Sequence, residues 1–137
     1  MNQAMSRVQA VFALAPFIRE VGYELADAGP GWVETRLRVE PRHLQQHGYL
    51  HAGVITTMAD HTAGGAASTV VQPGQSVLTS DLSIQLLRPG RGEELRCRGE
   101  VVKPGRTLVF TQADVWAEAV HVARLHATMA VVNEDLG

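Results

Sequence analysis

From His51 to about Val71 the chain runs through small and apolar residues without a proline, and Pro73-Gly74 closes the run. That pattern reads as one long helix, and it constrains the fold most because every later segment has a different period. Leu78, Leu82, Ile84 and Leu86 fall on one face of a strand, with Thr79, Asp81, Ser83 and Gln85 on the other, until Arg88-Pro89-Gly90 ends it. Leu95, Cys97, Gly99 and Val101 then alternate with Arg96, Arg98 and Glu100. The turn Lys103-Pro104-Gly105-Arg106 leads into a strand from Thr107 to Trp116. A last strand, Ala119 to Asn133, is apolar on both faces around Leu125 and Met129.

Ahead of the helix, Val21, Tyr23 and Leu25 alternate with polar or small residues. Gly29-Pro30-Gly31 supplies a turn, and Val33, Thr35, Leu37 and Val39 alternate again, as an antiparallel hairpin does. Pro41 to Leu50 has neither period and reads as a loop. Between Met1 and Arg19, Val8, Val11, Phe12 and Ala15 recur at the spacing of an amphipathic helix. This favours a packed N-terminal helix over a signal segment, whose Ala13-x-Ala15 cleavage pattern is also present. The expected order is helix, two strands, long helix, four strands: an α+β chain with one antiparallel sheet wrapped around a central helix. Both faces of the final strand are apolar, so either a second sheet from another subunit or the N-terminal helix must cover the face left over.

A chain of 137 residues suits a single domain over residues 1–137. Twelve Lys and Arg against fourteen Asp and Glu offer no basic footprint for nucleic acid. No apolar run approaches the ~20 residues of a membrane-spanning helix. A single cysteine, Cys97, suits a reducing compartment, with the cytoplasm as default. His43, His47 and His51 recur every four residues, but in a loop with no carboxylate close in sequence, so no metal is expected. His61 reads as a packing or interface residue, and neither His121 nor His126 is assigned a role.

A helical wheel places Val54, Ile55, Met58, Ala59, Ala66 and Val70 toward the sheet. Asp60 falls on the other side, among Thr56, Gly64 and Ala67. An ordinary exposed face carries Lys, Glu and Gln. A lone carboxylate among small residues points instead to a ligand or another backbone close by. Ala52 and Gly53 occupy the first turn, where free N–H groups and the helix dipole favour an oxyanion.

Gln45-x-x-Gly48-x-x-His51-Ala52-Gly53-Val54, followed by Met58-Ala59-Asp60, resembles the signature of hot-dog acyl-CoA thioesterases of the PaaI-like branch. Leu78-Thr79-Ser80-Asp81-Leu82, running to Arg88-Pro89, and Lys103-x-Gly105-Arg106-Thr107-Leu108 are similar to later pieces of that family. The resemblance implies a cofactor-free thioester hydrolase with sites at the interface of a homodimer or homotetramer. It implies Asp60 as general base or nucleophile, the Ala52 amide with Gly53 beside it polarising the thioester carbonyl, and Gln45 positioning carbonyl or water. It also implies that Thr79, from the partner subunit, orients water. His51, Arg88, Lys103, Gly105, Arg106 and Thr107 are the implied contacts to acyl-CoA, the cations among them toward its nucleotide end. Ala52 stands where the family has Gly, and Gln45 where it has Asn. A non-catalytic acyl-CoA-binding dimer is the alternative these departures raise, and an enoyl-CoA hydratase using His51 beside a carboxylate is another.

Overall fold

The computed structural model describes residues 3–134. Two short helices, α1 (Gln3–Ala13) and α2 (Pro16–Val21), precede a hairpin of β1 (Glu24–Gly29) and β2 (Trp32–Arg38). A loop holding one 3-10 turn leads to the long helix α3 (Ala52–Ser68). Four strands follow: β3 (Gln75–Leu86), β4 (Glu94–Lys103), β5 (Leu108–Ala117) and β6 (Val120–Asn133). All pair antiparallel in one six-stranded sheet ordered β1-β2-β4-β5-β6-β3, and α3 packs across its concave face. This is a hot-dog fold, and the expected order of elements holds.

The single helix expected over Met1–Arg19 is two helices, and its first two residues lie outside those described. Pro16 opens α2, where a proline's missing N–H is harmless, and Gly22 closes it in the left-handed region. Val21 is therefore helical, and the hairpin starts three residues later than the alternation suggests.

The core lies between α3 and the sheet. Val33, Leu95, Val109, Val115, Leu125 and Met129 are buried on the strands against Ile55, Met58, Ala59, Ala63 and Ala66 of the helix. Large side chains buried in this way contribute roughly 1.5–3 kcal/mol each. Close approach needs small residues. A Cβ on Gly99 would stand 2.9 Å from the Thr62 backbone, so only glycine lets α3 settle on β4. The hydroxyls of Thr35 and Thr62 satisfy each other at 2.7 Å within this contact.

The helix is buried nearly all round. Ala67, expected on the side of Asp60, is fully buried, whereas Val54 and Val70 are only half-buried. The second cover is α1, whose Val8 and Phe12 pack onto Gly65. So α1 lies on the helix side, and of the two covers considered for the outer face of the sheet, a second sheet from another subunit or the N-terminal helix, the helix is not the one. In β6 that outer face carries Arg124, His126 and Thr128 at its centre, so it is less apolar than the residue counts suggest.

Candidate active site

The loop before α3 is folded on itself. Gln45 Oε1 accepts from the backbone N–H groups of His47 (2.5 Å) and Tyr49 (3.2 Å). The backbones of Gln45 and Tyr49 bond as well. The carbonyl end of Gln45 is thus consumed in shaping the loop, and only its NH2 end is left to meet a substrate carbonyl. His43 is buried: its Nδ1 accepts from the Glu40 N–H and its Nε2 pairs with the Val21 carbonyl. Among the described residues no cluster of His, Cys, Asp or Glu could hold a metal.

His51 caps α3. Its Nδ1 accepts from the Gly53 N–H at 2.8 Å, and its carbonyl accepts from Val54 and Ile55. Gly53, expected to assist at the oxyanion position, therefore has its amide occupied. The Ala52 N–H has no acceptor among the described residues and opens to solvent at the positive end of a seventeen-residue helix. A cavity of about 510 Å³ lies in front of it, lined by Gln45, Tyr49, His51, Ala52, Leu86 and Arg88 among others. Arg88 donates to the His121 carbonyl at the rim.

Asp60 sits elsewhere. The Thr79 hydroxyl of the same chain donates to Asp60 Oδ1 at 2.7 Å, with Met129 Sδ at 3.3 Å on its other side. Thr79 was expected from the partner subunit; it comes instead from β3 alongside its own α3. A bulge between Thr79 and Asp81 makes this possible. Uninterrupted alternation would place Thr79 with Asp81 and Ser83 on the outer face. The inserted residue reverses the parity, so Thr79 pairs with Met129 and faces the helix while Leu78 turns outward. The pair lines a second cavity of about 210 Å³ with Val11, His61 and Gly64.

His61, next to Asp60, packs edge-on against Phe12 at 4.6 Å between centroids, and its Nε2 is buried without a partner among the described residues. Burial pushes its imidazole below the usual range, against the opposing influence of the Val11 backbone and the Asp60 charge. It is a packing residue, as expected. Cys97 is buried too, and its thiol is pushed up to about 12 by burial, which leaves it inert.

The residues singled out in the sequence thus form three groups. Gln45, His51, Ala52, Gly53 and Arg88 surround the start of α3. Asp60 and Thr79 sit at its middle. Lys103, Gly105, Arg106 and Thr107 form the exposed β4–β5 turn, where Gly105 and Arg106 stand beside Gln72 and Gln75, past the far end of α3. Gly105 is needed for the turn itself, since a Cβ there would collide with the Leu108 carbonyl. At 1.5 Å per residue, Ala52 and Asp60 are about 12 Å apart along the helix. No single carbonyl can touch both in one chain. Val11 and Met129 were missed as lining residues; only the helical spacing of Val11 hinted at burial, and nothing hinted at Asp60 as its neighbour.

A family model described as the Thioesterase superfamily matches residues 47–124, more than half of the chain, a span that holds His51, Ala52, Asp60 and Thr79. The chain belongs to the Thioesterase superfamily. Human acyl-coenzyme A thioesterase 13 is 32% identical over 124 residues, covering 87% of this chain and 86% of that protein. A thioesterase family protein from Silicibacter pomeroyi has a crystal structure that superposes with a TM-score of 0.91 at 33% identity, covering 95% of this chain and 98% of that one. A Streptococcus mutans protein bound to acetyl CoA superposes with a TM-score of 0.75 at 25% identity, over 82% of this chain and 90% of the other. The resemblance carried by the His51-to-Asp60 motif is borne out, as are the hot-dog fold and the thioester hydrolase class.

Proposed function

We propose that this chain, a single hot-dog domain over residues 1–137, hydrolyses acyl-CoA thioesters, with a site assembled from two copies. The observation that carries the reading is the Asp60–Thr79 pair, held in one cavity while the one unbonded amide of the helix start faces another. Human acyl-coenzyme A thioesterase 13 supports the substrate class by its name, and the Streptococcus mutans protein by its bound acetyl CoA.

Strand β3 supports the assembly. It is a twelve-residue edge whose outer ladder is unpaired, and Leu78 and Leu86 on it are exposed. Long open edges invite pairing. A two-fold axis between Leu82 and Ser83 would set Thr79 of one copy opposite Leu86 of the other. Leu86 lines the Ala52 cavity, so this register brings Asp60 and Thr79 to the partner's helix start. A dimer suffices; a tetramer would add cover for the outer sheet face.

In that arrangement the Ala52 N–H of one copy polarises the thioester carbonyl, and the NH2 of its Gln45 stands beside the acyl-CoA. Asp60 of the other copy, oriented by Thr79, takes a proton from water as the water oxygen bonds to the carbonyl carbon. The tetrahedral adduct then expels CoA thiolate, which recovers a proton from Asp60. Arg88 at the rim, and Lys103 and Arg106 further out, present cations toward the phosphates of CoA. His51 caps the helix and Thr107 shapes the turn. The lone, inert Cys97 fits work in the cytoplasm; among the described residues no helix is long and apolar enough to cross a membrane.

The test is thiol release from a panel of acyl-CoA esters, with light scattering for mass. Asp60→Asn should lower kcat by about 10² or more with thermal stability kept and a dimer or tetramer observed. An active monomer would refute the shared site. Water addition without thiol release would favour the hydratase alternative, and binding without turnover the non-catalytic one.

A further inference from the structure

We infer that the acyl group of the substrate lies in a groove between α1 and β3, so that the N-terminal helix selects the substrate and favours apolar acyl groups of medium or greater length. This rests on the thioesterase reading. The cavity beside Asp60 holds about 210 Å³, below the ~300 Å³ at which ordinary small-molecule pockets begin. An acyl group longer than a short stub must extend beyond it. A continuous way on exists among the described residues: Val11, Ser68, Ser76 and Leu78 line both this cavity and a neighbouring groove of about 730 Å³.

The chemistry of that groove fits hydrocarbon. Its walls are Ala10, Val11, Leu14 and Ala15 on the α1 side and Leu78 on β3, and polar groups, Arg7, Gln75 and Glu134, also border it. Leu14 is 79% exposed, a cost that burial against an acyl chain would relieve. The helical wall is fixed in place. Arg7 Nη1 donates to the carbonyls of Ser68 (2.8 Å) and Val71 (2.5 Å) at the end of α3, and Phe12 rests against His61. The groove therefore needs no rearrangement to accept a chain. Gly64 keeps the junction open, since a Cβ there would meet nothing nearer than Met129 Cε at 4.0 Å.

The experiment compares the purified full chain with Ala10→Trp and Leu14→Asp, both at exposed positions, using acetyl-, butyryl-, octanoyl- and dodecanoyl-CoA. In the unaltered protein kcat/KM should rise with chain length. Either variant should cut the dodecanoyl-to-butyryl ratio of kcat/KM at least tenfold, and Leu14→Met should retain it. Binding of the S-dodecyl thioether of CoA, followed by calorimetry, reads the groove without hydrolysis and should weaken at least tenfold in the same two variants. If no ester is cleaved but thioether binding is weakened, the thioesterase reading fails and the groove assignment stands. If the chain-length ratio and the thioether affinity are both unchanged in Ala10→Trp and Leu14→Asp, the groove assignment is wrong. Should one variant fail to fold, the other decides.

Discussion

Replacing Ala52 by proline removes a single hydrogen-bond donor and little else. Ala52 is the first residue of α3, where proline is favoured because its missing N–H has no helical partner. His51 before it already has φ −65° and ψ 138°, the extended conformation that a residue preceding proline adopts. The N–H that disappears is the one amide of the first turn that neither His51 nor the helix uses. Thermal stability should therefore stay level or rise slightly. If that amide holds the developing oxyanion, kcat should fall by about 10²–10³, the usual effect of losing one such donor. Ala52→Gly, which keeps the N–H and removes the methyl group, should hydrolyse at least as fast as the unaltered chain, which separates the lost donor from crowding by the proline ring. Mixing refolded Ala52→Pro and Asp60→Asn chains extends the assay. A site shared between copies leaves one intact centre in each mixed dimer, so random pairing should restore about a quarter of full activity. Ala52→Pro retaining kcat within about threefold would refute the oxyanion assignment, using the magnitude expected of a single donor. Two chains that fail to complement would refute the shared site.

Two further outcomes follow from the geometry around Asp60. Thr79→Val keeps the shape but removes the donor to Asp60 Oδ1; hydrogen bonds to a charged group contribute about 1.5–3 kcal/mol, so kcat should fall roughly ten- to a hundredfold, more than KM changes, and equal loss of Tm and activity would make the bond structural. His61 has its pKa lowered in the fold by burial; as pH drops through the ordinary value near 6.5 the unfolded chain takes up a proton that the native state refuses, so this contribution is full above that pH and is lost below it. Tm measured from pH 7.5 to 5 should fall less steeply in His61→Phe than in the unaltered chain, and parallel slopes would show that His61 is not the group responsible.

Much of this protein is legible in its sequence, because local rules suffice for it. The proline-free, small-residue run ending at Pro73-Gly74 specifies α3 to within three residues of its C-terminus. Alternating residues locate β2, β3 and β4, since side-chain parity is local to each strand, turn residues bound β5, and an apolar run marks β6, while the alternation ahead of β1 begins three residues too early because Val21 is helical. Asp60 stood out as a lone carboxylate among small residues, whereas the Ala52 and Gly53 amides at the helix start were singled out through the family resemblance. What the tertiary structure decided are matters of pairing between distant segments. Whether β3 carries an extra residue depends on its register with β6, and strict counting along β3 cannot detect it; that one bulge determines that Thr79 meets Asp60 in its own chain. The use of the Gly53 amide by the His51 ring and of the Gln45 carbonyl by its own loop depends on side-chain rotations that no spacing rule encodes. The helical period of α1 picks out Val8 and Phe12 as buried, but only packing shows that the half-buried Val11 lines the cavity beside Asp60, because the choice of partner surface is settled by the shape of the whole core.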